Sequence, residues 1–235
     1  MTDAIRLIGL PGSGKTRFKN AFQAAFPEAL IEEVSTEDAL IPTSQAQRTW
    51  CLIDARHLVG DDEAQAWLKA MLQTATGVVF SFMDAADMTV QSQWQAWLKS
   101  ALPQPLPRYR WFSHAALGDW NWHEFDTPAI IPSVDYSAPS LESLCFEFDG
   151  ESRALNLEHL LFGLDTMKQN LGARLWRVQG VVMTSEYQNP VALEGQIDRW
   201  DTYAGELNGP GYICMQGQTL QRDLLQEIID ASGLS

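Results

Sequence analysis

The sequence predicts a parallel α/β sheet with helices on both faces, followed by a smaller α+β unit. Three observations carry that expectation. Short apolar runs alternate with stretches of helical periodicity over the first half of the 235 residues, the pattern of a sheet covered on both sides. The first apolar run leads into a glycine-rich turn and then a helix. The character changes at residues 127–140 (TPAIIPSVDYSAPS), where three prolines and no helical pattern mark an extended connection. These place one unit at 1–130 and a second at 140–235.

In order, residues 4–9 read as a buried strand, with a helix starting near Gly14. Residues 29–34 form a short second strand, and 48–55 a third that closes on Asp54. Residues 62–74 have helical spacing, with Trp67, Leu68, Met71 and Leu72 on one face. Residues 77–85 are an almost wholly apolar strand ending near Asp84. The next helix, 88–101, carries Trp94, Trp97 and Leu98 as its stripe, and 108–113 is the fifth strand. Past the proline-rich stretch come a strand at 143–149, a helix at 154–171 and a strand at 173–184. Residues 191–200 and 211–216 and a last helix at 220–231 complete an order of hairpin-like strands and helices.

Composition excludes several functions. Thirty acidic against 16 basic side chains leave a net charge of −14. Such a surface repels a phosphate backbone and anionic lipid, so neither nucleic acid nor membrane is an expected partner. The apolar run at 77–83 is far too short to span a bilayer, and the first residues do not read as a secretory signal. Cys51, Cys145 and Cys214 are far apart and odd in number. They make no disulfide framework, which points to a reducing, cytoplasmic setting.

One motif carries chemistry. Gly9-Leu10-Pro11-Gly12-Ser13-Gly14-Lys15-Thr16 fits G-x-x-x-x-G-K-[ST] and lies between a strand and a helix. Glycines let successive backbone N–H groups curl around an anion, and the helix turns its positive end to the same point. Gly9, Gly12, Ser13, Gly14, Lys15 and Thr16 are therefore the phosphate-binding set. As an exposed loop lysine, Lys15 is expected to reach the β- and γ-phosphates, and Thr16 to hold Mg²⁺. A second Mg²⁺-side carboxylate is expected at a neighbouring strand end. Asp54 fits best, and Asp84 is the alternative. Lys15, Thr16 and Asp54 are the catalytic candidates, with Thr16 and Asp54 on the metal. The fold class becomes a P-loop NTPase sheet with an α+β C-terminal unit.

With these features together, the chain resembles the CobW-type P-loop GTPases of the SIMIBI class. Gly9–Thr16 stands where that family has G-x-x-G-S-G-K-T-T, and 77–88 resembles its strand ending in V-D-A. Residues 143–150, 157–167 and 173–182 resemble its small C-terminal domain, with Arg177-Val178-Gln179-Gly180 in place of R-x-K-G. Residues 211–229 resemble its closing strand, turn and helix. The resemblance implies a Mg²⁺-dependent GTPase (or ATPase) linked to metal insertion, with a metalloprotein client. The departures are specific. The C-x-C-C metal motif is absent, so zinc or cobalt binding is not implied. The guanine-reading N-K-x-D falls on Ser113-His114-Ala115-Ala116, and the E-x-x-G switch on Asp54-Ala55-Arg56-His57. A non-hydrolysing nucleotide-binding module is therefore an alternative. A small-molecule kinase is a third reading, without the arginine-rich lid such enzymes carry.

Other residues are read more blandly. His57, His114, His123 and His159 are scattered, and Cys51 with His57 is an unsupported metal pair. Trp111, Trp120 and Trp122 read as loop packing, with stacking on a purine as the rival role. Arg56 and its neighbouring arginines read as solvated surface, though Arg56 also stands where a γ-phosphate could be met.

Overall fold

A computed structural model describes residues 4–36, 38–113, 116–148 and 154–233. The chain divides into two units, Met1–Ala138 and Pro139–Ser235.

In the first unit, β1 (Ile5–Ile8), α1 (Lys15–Ala25), β2 (Ile31–Glu33), β3 (Arg48–Asp54), α2 (Asp62–Thr74), β4 (Gly77–Ser81), α3 (Met88–Ala101) and β5 (Arg108–Arg110) follow in order. All pairings are parallel, and the strand order is β2-β1-β3-β4-β5. The chain winds one way from β1 to β2 and the other way from β3 to β5. Right-handed crossovers then put α1 on one face and α2 and α3 on the other. The strands are buried almost throughout, as a doubly covered sheet requires.

One face is an aromatic core. Phe18 and Phe22 of α1 meet Trp50 of β3 edge to face, with Trp111, Trp120 and Trp122 closing around them. Trp120 lies flat on Tyr109, centroids 3.8 Å apart. These tryptophans are packing, as the sequence reading favoured. Across the sheet, Trp67 and Trp94 are buried, while Trp97 is half-buried and donates its indole N–H to Gln65.

Boundaries of α2 and α3 coincide with the periodicity, because each opens on a capping carboxylate. Asp61 accepts from Ala64 N–H and Asp87 from Val90 N–H, both at 2.8 Å. The expected long strand at 77–85 is shorter. Phe82 adopts φ 55°, which breaks the extended run and starts a 3-10 turn at Met83–Ala85.

The second unit is antiparallel. Its strands β6 (Glu142–Phe148), β7 (Arg174–Val182), β8 (Val191–Gln196), β9 (Arg199–Ala204) and β10 (Gly211–Gln218) stand in the order β6-β10-β7-β8-β9. Helices α4 (Leu157–Asn170) and α5 (Arg222–Ser232) pack on each other and share an apolar core with the sheet through Leu160, Leu164, Leu225 and Ile229. Residues 191–200 are not one element: β8 and β9 form a hairpin across that stretch. The Glu186 carboxylate accepts from the first N–H of α4, Leu157, at 2.8 Å.

Insertion of β10 between β6 and β7 sets Cys145 directly opposite Cys214, and the two are joined in a disulfide. This departs from the reading of three separate thiols. The partners lie 69 residues apart in sequence, and only the strand order makes them neighbours. No helix among the described residues is long and apolar enough to cross a membrane.

Candidate functional site

In a sheet of order 2-1-3-4-5 the loops after β1 and β3 leave in opposite directions. The crevice between them is where doubly wound sheets bind ligands. The G-x-x-x-x-G-K-[ST] loop lies there, leaving the end of β1.

Its glycines are required by geometry. Gly9 has φ 149°, and a Cβ there would lie 2.5 Å from the Leu52 carbonyl oxygen. Gly14 has φ 85°, and a Cβ would come within 2.9 Å of the Phe82 ring. The loop is thus pressed onto the ends of β3 and β4. The Ser81 hydroxyl fastens it, lying 2.7 Å from the Ser13 carbonyl and 3.1 Å from the Ile53 carbonyl.

Unlike α2 and α3, α1 opens without a side-chain cap, on left-handed Gly14. Its first N–H groups therefore face the loop without a carboxylate of their own, the arrangement that suits an external anion. The Ser13 hydroxyl oxygen is buried, with no hydrogen-bond partner among the described residues. Lys15 is buried rather than exposed, at 7%. Its ammonium folds back into the loop and donates to the carbonyls of Gly9 at 2.9 Å and Leu10 at 3.2 Å. This corrects the expectation of an exposed lysine. The tight curl places two loop carbonyls within reach, and they solvate the charge.

Thr16 points outward. Its hydroxyl donates to Glu33 Oε2 at 2.8 Å, and both residues are exposed. Sequence reasoning passed over Glu33. The signal was faint: a carboxylate at the end of a three-residue strand, next to β1 in the sheet. Asp54 closes β3 and is buried at 8%. Arg56 holds it, with Nε 3.0 and 3.1 Å from the two carboxylate oxygens and Nη2 at 2.6 Å. Arg56 is therefore not a solvated surface residue. Asp84 lies elsewhere in its bonding: it accepts from the Ser113 N–H and hydroxyl, which ties the end of β4 to the end of β5.

Beneath the loop, Cys51 is fully buried. Burial pushes its thiol up to about 12, against the opposing pull of the Lys15 charge. It is thus a packing residue and not a nucleophile. No group of three or more His, Cys, Asp or Glu side chains that could hold a metal occurs among the described residues. The stretch expected to read guanine, 113–116, includes His114 and Ala115, which lie outside the described residues.

No protein-family model and no curated protein matches the chain. Among solved structures, the Zn(II)-bound YjiA GTPase from E. coli is 10% identical, over 93% of this chain and 67% of its own, at TM-score 0.34. A Zn(II)-bound triple mutant of the same GTPase aligns with 11% identity, the same coverage and the same TM-score. A likeness at that TM-score carries no argument. The assignment of fold rests on the parallel strand order and on the loop at its crevice.

Proposed function

We propose that the first unit binds a nucleoside triphosphate with Mg²⁺ and hydrolyses it, as a GTPase-like enzyme. The observation that carries this is the loop itself. An ammonium folded into a glycine-built curl, an uncapped helix start and a buried hydroxyl without a partner among the described residues all belong to one turn of eight residues. Each is a donor, and together they suit a phosphate chain.

The roles follow from chemistry. Backbone N–H groups from Gly12 to Thr16, with the Ser13 hydroxyl, cradle the phosphates. Lys15 exchanges its carbonyl partners for phosphate oxygens. Thr16 and Asp54 form the metal side, with Glu33 beside Thr16. These are hard oxygen donors of the kind Mg²⁺ takes alongside phosphates and water, so the residues fit the ion. Thr16 and Asp54 would hold the ion, which would supply positive charge against the charge that develops on the phosphates. The protein's own part is positioning and electrostatic stabilisation.

A second reading has its own observation. Asp54 is already engaged by Arg56, and Asp54-Ala55-Arg56-His57 carries no switch glycine. That favours a module that binds without turnover. The family resemblance adds a metal-insertion role and a metalloprotein client as the finer form of the first reading.

A competition titration of GTP, ATP, GDP and ADP with Mg²⁺, read by tryptophan fluorescence or heat, tests the proposal. Triphosphate binding with slow release of phosphate supports it. Binding without release selects the module. Absence of binding by all four nucleotides removes both. Preference for GTP over ATP would mark guanine recognition without an N-K-x-D carboxylate.

A further inference from the structure

Arg56 is held from two sides. Its Nε and Nη2 grip Asp54 at 2.6 to 3.1 Å, and its guanidinium lies 3.9 Å from the centroid of the Phe82 ring. Its side chain is only 15% exposed. Phe82 is the left-handed residue past β4, and its ring fills the space where a Gly14 Cβ would stand. Guanidinium, ring and the last loop glycine thus form one stack at the opening of α1. Arg17, in the first turn of α1, lies 5.1 Å from the same ring. The Ser81 hydroxyl joins the end of β3 to the crest of the loop.

We propose that Arg56 binds the terminal phosphate of the nucleotide, and that Asp54 and Phe82 hold it in reserve until a triphosphate occupies the loop. This rests on the nucleotide-binding reading above and deepens it: Arg56 would be what separates a triphosphate from a diphosphate.

A planar fork that pairs with a carboxylate through two nitrogens pairs equally well with a phosphate. Removing Arg56 from Asp54 without a substitute would leave two poorly solvated charges, so the pair persists in the free protein. A γ-phosphate and its Mg²⁺ supply both substitutes: the cation answers Asp54 and the phosphate answers Arg56. A diphosphate is enclosed by the backbone cradle and Lys15. It brings no terminal group to the end of β3, and Arg56 stays on Asp54. Phe82 keeps the guanidinium close to the loop in either state.

The test compares affinities for a non-hydrolysable triphosphate analogue and for the matching diphosphate. Arg56→Gln should weaken the triphosphate by about 10- to 100-fold, the loss expected for charge-assisted hydrogen bonds, and leave the diphosphate within about twofold. Arg56→Lys, which keeps the charge but not the fork, should lose most of the same preference. Thermal stabilisation by each ligand should follow the same split. Asp54→Asn gives a sharper reading in the presence of a chelator: with its competitor removed, Arg56 should bind the metal-free triphosphate more tightly than in the parent. Triphosphate and diphosphate affinities falling together, or neither falling, would overturn the proposal, as would no gain in Asp54→Asn. A parent that binds no nucleotide defeats the underlying reading first, and that result comes before any variant is made.

Discussion

Strand β3 begins and ends in an arginine–aspartate pair, and the two pairs are built differently. At its start, Arg48 lies 3.4 Å from Asp126. Asp126 also accepts from the Trp50 indole at 2.8 Å and from the Thr76 hydroxyl. Its partners come from positions 50 to 78 residues away in sequence, and its side chain is 0% exposed. At the other end, Asp54 is held by a residue two positions along the same chain, at the mouth of the loop crevice. The first pair is tied into the tertiary structure through the Asp126 carboxylate, which β3 and Thr76 both reach. In the second the ion partners are two positions apart, and Phe82, which also packs against Gly14 of the glycine-rich loop, covers the guanidinium. One ties segments together; the other is the pair proposed above to trade partners. A buried ion pair is weak evidence of stability by itself, so the surroundings decide which job it does.

Four measurements break or sharpen that contrast. The largest effect is expected at the start of the strand. Asp126→Ala removes the carboxylate that the buried Arg48 charge, the Trp50 indole and the Thr76 hydroxyl share, and should destabilise the first unit by about 3–5 kcal/mol. Chemical denaturation measures this, while nucleotide affinity of the folded fraction should stay at the parental value. A cost below about 1 kcal/mol would erase the distinction drawn here.

Next is Lys15→Ala. It should lower triphosphate affinity by about 100-fold, since a charged group central to a desolvated site is worth about 2–5 kcal/mol. Its cost in stability should be about 1 kcal/mol, for two hydrogen bonds to carbonyls that water can replace. Titration and melting together check this, and unchanged affinity would remove the phosphate assignment.

Asp54→Asn, measured with Mg²⁺, should cost about tenfold in triphosphate affinity, in line with one lost charge-assisted contact. Its effect on unfolding should be small beside that of Asp126. Equal destabilisation by the two variants would mean both pairs are structural.

The smallest effects concern pH. Burial raises the Asp126 carboxyl above its ordinary value, and the bonds from Thr76, Trp50 and Arg48 only partly offset this. Its folded form therefore favours the proton. That contribution is fully present below pH 3.8 and is lost as pH rises through the raised value. Glu186 has the opposite sign. Burial raises its pKa, but hydrogen bonds from its own backbone, Ser185, Leu157 and Glu158 outweigh it and leave the carboxyl lowered. Its contribution is present above pH 4.5 and is lost as pH falls through the lowered value. Stability against pH for Asp126→Asn and Glu186→Gln should thus deviate from the parent in opposite directions across the acid range.

Much of the first unit was legible in the residues. Helices α2 and α3 carry their own starts in Asp61 and Asp87, and their apolar stripes are local patterns. The loop was legible because glycine, lysine and threonine at fixed spacing encode a backbone shape. What local pattern could not reach depended on strands meeting from far along the chain. Glu33 stands beside Thr16 only because β2 pairs with β1. Cys145 faces Cys214 only because β10 inserts beside β6. Asp126 was unremarkable in sequence and becomes the acceptor for Trp50 and Thr76 and the ion partner of Arg48.

By itself, then, the sequence determined the alternation of strands and helices, the glycine-rich turn between β1 and α1 and the apolar stripes of α2 and α3. Those follow from periodicity and from conformations that single residues permit. Tertiary structure alone decided that Lys15 is buried against its own loop, that Arg56 is gripped by Asp54 and Phe82, and which charges are paired. Burial and pairing are properties of neighbours in space. A carboxylate's energy depends on what surrounds it, and that is set when the sheet closes and not by the order of residues along one strand.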